Sequence, residues 1–252
     1  MDDVTRIGAA KAAWNASSGV DSRGRQHGFF RRALRAFIHF FSYHFILSRQ
    51  SIRVSYAAGF RLTVRPTVFH PKFFISSERF AEFIGTLDFT GKRVAEIGTG
   101  TGILALAAAR AGAANVVATD INPNAARSAN ENAQANGLGD RVTGVCTNLL
   151  AALAPRPLFD VILSSPPKHA GEPRDLTDRG WHAGPAYRDI IALFDQSRER
   201  LAPGGRIYLM VSSDTDLDLF ASLIAKAGFS QQKVREYSLV VESLIIYELQ
   251  TR

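Results

Sequence analysis

The chain has 252 residues, 46% of them hydrophobic, a net charge of +7 and one cysteine. This suits one domain of about 200 residues plus an extension, and it excludes an internal disulfide, which fits a reducing compartment. No run of about 20 apolar residues occurs, and Asp2 and Asp3 precede no apolar core; neither an integral membrane segment nor a signal peptide is expected, and the expected location is cytoplasmic.

Residues 1–65 hold 11 Lys and Arg against 3 Asp and Glu, whereas 66–252 hold 19 against 20. The basicity belongs to the N-terminal part, a poor match to a catalytic face that is broadly basic for nucleic acid. A basic arm that recruits RNA stays open. Residues 1–28, rich in Ala, Ser, Gly and Arg, read as a mobile basic tail. Residues 29–47 read as a helix, with Phe30, Leu34, Phe37, Phe41 and Phe45 on one stripe and Arg31, Arg32, Arg35, His39 and Ser42 opposite. A docked helix, a lid and a peripheral membrane-surface helix are the readings for 29–47. His39 and His44 are not spaced as a metal pair. Alternation over 52–64 around Ala57-Ala58-Gly59 predicts a β-hairpin. A Pro-marked loop, 65–71, leads to a helix at 77–87. The extension is thus 29–75 and the main domain 76–252.

From there strands (93–97, 116–120, 142–146, 159–164, 206–212) alternate with helices (102–111, 123–136, 188–201, 215–227). This alternation predicts a doubly wound parallel α/β sheet. Pro123 suits a first helical turn, and Ala202-Pro203-Gly204-Gly205 breaks the chain before strand five. Cys146 sits in an apolar run and reads as a small buried hydrophobe. No metal-ligand spacing and no nucleophile–base pair for covalent catalysis are seen.

The chemistry concentrates first in Val94-Ala95-Glu96-Ile97-Gly98-Thr99-Gly100-Thr101-Gly102, a strand ending in glycines before an Ala-rich helix whose start offers N–H groups. A second strand ends at Asp120, where a carboxylate can accept from both ribose hydroxyls of a nucleoside. A dinucleotide fingerprint, G-x-G-x-x-G, needs a small residue where Ile103 stands, and Glu96 would repel a pyrophosphate. The stretch resembles the cofactor loop of class I S-adenosylmethionine (SAM) methyltransferases. The resemblance implies SAM as cofactor, contacted by Glu96, Gly98, Thr99, Gly100, Gly102, Asp120 and Ile121. It also implies a Rossmann-like seven-stranded sheet, with 233–240 and 243–249 as the final antiparallel hairpin, plus the N-terminal helix and β-hairpin extension.

Phe159-Asp160-Val161-Ile162-Leu163-Ser164-Ser165-Pro166-Pro167-Lys168 ends strand four, where such sheets bind ligands. It is similar to the Asn/Asp-Pro-Pro-aromatic motif of amino-methyltransferases, including the HemK/PrmC-like group. That motif orients an acceptor nitrogen for in-line displacement, a gain of positioning. By this resemblance Ser165, Pro166 and Pro167 are catalytic, and Ser165 also borders the cofactor. Ser165 replaces the acid or amide and Lys168 the aromatic ring, so an anionic acceptor paired with Lys168 is one expectation. In the same group a hairpin and Pro-marked loop precede the domain, which implies Phe69, Pro71 and Glu78 near the methionine end. Asn148 takes the place of an acid that meets the adenine amine. The loop 168–187 is expected to bind the acceptor, with Trp181, His182 and Tyr187 as contacts and His182 as a base for a hydroxyl. A SAM-dependent methyltransferase is therefore expected, acting on a nitrogen, or alternatively an oxygen, of a protein side chain or small metabolite. An RNA methyltransferase is the alternative, and a non-enzymatic nucleotide-binding module the remote one.

Overall fold

A computed structural model describes residues 51–70, 75–239 and 242–252. The chain divides into two units, Met1–Ser42 and Tyr43–Arg252, and every described residue lies in the second. The expected tail, the 29–47 helix with its lid and membrane readings, and Pro71 fall outside the described residues.

Strands β1 (Arg53–Ala57) and β2 (Phe60–Val64) pair antiparallel, Arg53 opposite Val64 and Ala57 opposite Phe60. The two turn residues, Ala58 and Gly59, both have positive φ (49° and 76°), the hand that matches strand twist in a two-residue hairpin. Alternation sends Ser55, Ala57, Phe60, Leu62 and Val64 inward and leaves Ile52, Val54 and Tyr56 exposed. Helix α1 (Ile75–Ile84) follows and buries Phe80, Ala81, Phe83 and Ile84. It begins two residues earlier than expected and ends at Gly85, whose N–H still bonds to Ala81 O.

The main sheet is built from β3 (Arg93–Ile97), β4 (Asn115–Asp120), β5 (Val142–Cys146), β6 (Phe159–Ser164), β7 (Leu201–Ser212), β8 (Phe229–Ser238) and β9 (Ser243–Thr251). Their order is β5-β4-β3-β6-β7-β9-β8. The neighbours from β5 to β7 are parallel; β9 runs antiparallel between β7 and β8. Helices α2 (Ile103–Arg110), α3 (Pro123–Ala135), α4 (Arg188–Arg200) and α5 (Leu217–Lys226) cover it. This is the Rossmann-like methyltransferase fold, hairpin included.

Strand alternation makes two cores. Val94, Val161, Leu163, Tyr208 and Met210 join α1, α2 and the β1–β2 hairpin on one face. Ile97, Ile162, Ile207, Leu209 and Val211 join α4 and α5 on the other. Helix α2 is buried over seven consecutive residues, Ile103 through Ala109. Alanine suits it because it is covered on more than one side and small side chains permit close approach. Five asparagines border or lie on the polar helix α3, and they grip neighbouring backbone. Asn132 accepts from Thr63 N (2.6 Å) and donates to Thr63 O (3.1 Å) and Thr101 O (2.8 Å). Asn136 exchanges the same two bonds with Arg61 N and O. These amides stand in for a strand partner along β2.

Two local expectations change. Cys146 is exposed, because it ends the edge strand β5, where there is no further strand to cover it. The Ala202-Pro203-Gly204-Gly205 break lies inside β7 as an irregularity: pairing steps from Phe159 opposite Leu201 to Val161 opposite Arg206. Proline and glycine are tolerated there because the looped-out residues do not need ladder bonds.

Candidate active site

The parallel register lines up the three loops. Ile97 pairs with Thr119 on one side and Ser164 on the other. Gly98, Asp120 and Ser165 are therefore each one residue further on three neighbouring strands, at the carboxyl edge where strand order reverses. Gly98 N and Thr99 N both donate to Thr119 O at 2.9 Å, and Gly102 N donates to Thr99 O at 2.8 Å, which closes the glycine turn.

A side chain built at Gly98 or Gly100 would meet nothing within 4 Å; one at Gly102 would lie 2.9 Å from Ala129 Cα. The first two glycines thus face open space, and the third serves close packing of the loop on α3. Asp120 accepts from Gly100 N (3.0 Å) and Asn122 N (2.9 Å). Burial pushes its carboxyl up and these N–H groups oppose the shift. Ile121 is half-buried beside it, and Asn148 is exposed beyond β5.

Glu96 turns into the loop. It is 1% exposed, and its Oε2 accepts from Thr99 Oγ1 (2.6 Å) and Ala105 N (3.0 Å). Burial, with a smaller contribution from the nearby Asp120 carboxylate, pushes its carboxyl up to about 8. The N–H group of Ala105 in the first turn of α2, expected to face a ligand, is taken by Glu96.

At the end of β6, Ser164 Oγ donates to Ile97 O inside the sheet, whereas Ser165 is exposed and Pro166 and Pro167 are half-buried. Lys168 Nζ lies 3.0 Å from Glu242 Oε2 and 4.0 Å from Asp214 Oδ2. Ser212 Oγ donates to Glu242, and Asp214 N donates to Ser212 Oγ at 3.0 Å. The cation expected to meet an anionic acceptor is met by two carboxylates of its own chain.

The loop 168–187 is ordered. His169 N donates to Trp181 O, Ala183 N to His169 O, and Gly171 N to Gly184 O. Trp181 is buried, edge-on to Phe69 at 4.8 Å between ring centroids. These two rings pack on each other. Tyr187 donates to Lys168 O at 3.4 Å. Ala186 and Tyr187 both have positive φ (50° and 59°), a strain that persists only where the surroundings enforce it. His182 Nδ1 lies 3.3 Å from Asp178 Oδ2.

Glu78 stands apart from this edge. It accepts from Ala58 N at 3.0 Å, at the hairpin turn, where Arg110 at the far end of α2 donates to Ala58 O. Asn122, just past the end of β4, donates to Thr67 O and Oγ1, which holds the segment before Phe69 at the carboxyl edge, whereas Glu78 is held at the hairpin turn. Sequence reasoning missed Asp178, Asp214, Glu242 and Asn132. None belongs to a known motif; Asn132, Asp214 and Glu242 are singled out by partners distant in the chain, and Asp178 by its burial against Arg174, four residues before it.

Glycines open on one side, a buried acid at the next strand end and an exposed Ser-Pro-Pro turn beside them fit a nucleoside cofactor of the SAM type. A family model described as ribosomal protein L11 methyltransferase (PrmA) matches residues 81–165. Curated relatives include ribosomal protein L11 methyltransferases. That of Methylococcus capsulatus is 33% identical over 151 residues, 60% of this chain and 44% of the relative. That of Deinococcus radiodurans is 31% identical over 154 residues, 61% and 50% of the two chains. The chain thus spans about half the length of these relatives. Among solved structures, the ribosomal protein L11 methylase of Lactobacillus delbrueckii subsp. bulgaricus is 25% identical with a TM-score of 0.50, covering 68% of this chain and 77% of that one. The T. thermophilus 16S rRNA N2 G1207 methyltransferase (RsmC), in complex with AdoMet and guanosine, superposes with a TM-score of 0.57 at 22% identity, covering 80% and 50%. The described residues of this chain have the fold of class I S-adenosylmethionine-dependent methyltransferases.

Proposed function

We propose that the chain methylates an amine nitrogen, on a protein side chain or a small amine-bearing metabolite, in the cytoplasm. The carrying observation is the alignment of Gly98, Asp120 and Ser165 on three neighbouring strand ends. In this reading Gly98 and Gly100 leave room for the cofactor, Asp120 accepts from its ribose hydroxyls, and Ile121 and Asn148 border its adenine. Glu96, Thr99 and Gly102 hold the loop in shape. Bound SAM supplies an electrophilic methyl group on a sulfonium. Ser165 accepts a hydrogen of the acceptor nitrogen, and Pro166 and Pro167 fix the backbone so that a carbonyl can take another. Phe69, Trp181 and Tyr187 wall the acceptor, which makes positioning the main source of rate. A protein acceptor is favoured by the L11 methyltransferases among the relatives. A cationic amine is favoured over an anion by the two carboxylates around Lys168. The Ser-Pro-Pro loop and the leading hairpin keep the HemK/PrmC-like resemblance as part of this reading. The division into a tail at 1–28, an extension at 29–75 and a catalytic domain at 76–252 belongs to it too.

A second reading, RNA methylation, has one observation of its own, the excess of basic residues in 1–65. The test is transfer of labelled methyl from SAM to ribosomal protein L11, to lysine-bearing peptides and to ribosomal RNA. Label in protein or peptide amines, lost in Ser165→Ala at unchanged SAM affinity, is the expected result. Label in RNA alone overturns the amine reading.

A further inference from the structure

The Ser-Pro-Pro turn runs straight into an ion pair. Pairing of β6 with β7 ends at Ser164 opposite Leu209; as far again beyond each partner stand Lys168 and Ser213, past the carboxyl edge. Ser213 is tied to the start of β9: its N donates to Ser243 O at 2.8 Å and its Oγ accepts from Ser243 N at 2.9 Å. That brings Glu242, just before β9, to the same edge. Lys168 Nζ donates to Glu242 Oε2 at 3.0 Å and lies 4.0 Å from Asp214 Oδ2. Ser212 Oγ accepts from Asp214 N at 3.0 Å and donates to the same Glu242 oxygen. A residue of β7 thus orients the carboxylate that meets the ammonium.

The backbone of Lys168 has a second hold. Its O accepts from Tyr187 Oη at 3.4 Å, and the Tyr187 ring is edge-on to Phe220 of α5 at 5.7 Å. Lys168 is therefore held by its side chain at β9 and by its carbonyl at Tyr187. Between it and Ser165 stand two prolines, whose φ is locked near about −65°. The link is stiff, so a shift of Lys168 passes to Ser165. The Lys168 and Glu242 side chains are 28% and 27% exposed, and a pair so open to water adds little to stability. What it supplies is geometry.

We propose that Lys168 is a positioning residue for methyl transfer: clamped by Glu242, it holds the turn that presents Ser165 to the acceptor. The inference rests on the reading of Ser165 as the group that orients the acceptor. Lys168 then touches no reacting atom, and Glu242, with Ser212 behind it, acts through Lys168. A displacement of about 1 Å in a positioning group costs on the order of a hundredfold in rate, so the pair matters more to turnover than to folding.

The test uses the full chain at saturating SAM, with ribosomal protein L11, a lysine peptide or ribosomal RNA as acceptor, whichever takes label. Lys168→Met and Glu242→Gln should each cut turnover about tenfold or more. SAM affinity and the acceptor's Michaelis constant should stay within about twofold, and melting temperatures within a few degrees. Lys168→Arg keeps a cation for Glu242 and should recover most of the turnover. The double variant, Lys168→Met with Glu242→Gln, should be no slower than the slower single, because the same contact is lost in each. A raised Michaelis constant at unchanged turnover in Lys168→Met would make Lys168 an acceptor contact and overturn the proposal. Additive losses in the double variant overturn it as well. Amide hydrogen exchange in the free protein reads the clamp apart from its use. Exchange at residues 165–169 should quicken in both single variants, and unchanged rates overturn the clamp whatever the acceptor. Wild-type turnover in Ser165→Ala, with exchange quickened in the clamp variants, overturns the reading of Ser165 and with it the positioning role, while the clamp itself stands.

Discussion

At the scale of single residues, the glycines of one loop separate into two kinds. Gly100 has φ of 54° and open space around a would-be side chain; Gly102 has φ of 83° and Ala129 against it. Gly100→Ala should cost about 1 kcal/mol of stability, the left-handed penalty, yet weaken SAM binding about tenfold or more by filling the cradle. Gly102→Ala should cost about 2–4 kcal/mol, since overpacking adds to the same penalty. Calorimetry with SAM and thermal melts of both variants check the contrast; equal effects would mean the loop is one packing unit. Glu96 makes a second residue-scale prediction. Its carboxyl, raised to about 8 by burial, binds its proton more tightly folded than unfolded. The stability this gives is full below about pH 4.5 and declines by about 1.4 kcal/mol per pH unit as pH rises toward 8. Glu96→Gln keeps an oxygen for Thr99 and Ala105 without the ionisation. Wild type minus Glu96→Gln stability, from melts at pH 5 to 9, should therefore fall with rising pH; a flat difference refutes it.

At the scale of elements, the β1–β2 hairpin was readable from alternation around Ala58-Gly59, and α3 from its proline start. Their joint was not. Asn132 is wholly buried and links β2 to the cofactor loop through Thr63 and Thr101, whereas Asn136 grips β2 and its own helix at Asn132 O. Asn132→Ala leaves buried backbone groups unpaired and should cost about 2–4 kcal/mol. It should also loosen residues 98–102 in hydrogen exchange and weaken SAM binding. Asn136→Ala should loosen the hairpin only, with SAM affinity kept. If both variants weaken SAM binding alike, the hairpin steadies the domain as a whole and Asn132 has no particular hold on the loop. The two asparagines share one helix face at i and i+4, a spacing visible in the sequence. Their partners lie 69 and 75 residues away, so nothing local tells them from solvated asparagines.

At the scale of the whole molecule, the described residues of Tyr43–Arg252 close both faces of the sheet with their own helices and hairpin. Among the described residues, no helix is long and apolar enough to cross a membrane. A chain starting at Tyr43 should therefore keep its melting temperature within a few degrees and its SAM affinity within about twofold. Differential scanning calorimetry and SAM titration check this; loss of folding would assign residues 1–42 to the core. What the sequence by itself determined is the order strand–glycine turn–helix–strand–acid and the Ser-Pro-Pro turn after strand four. Those are local demands: left-handed backbone, helical and strand periodicity, proline geometry. Together they define the fold class and the cofactor loop. Only the tertiary structure decided that Glu96 faces inward, that Cys146 is bare, that Glu78 belongs to the far edge, and that Lys168 is met by Glu242 and Asp214. The physical reason is sheet order: it sets which strand ends are neighbours, and thereby which distant charges and amides share one small, poorly solvated space.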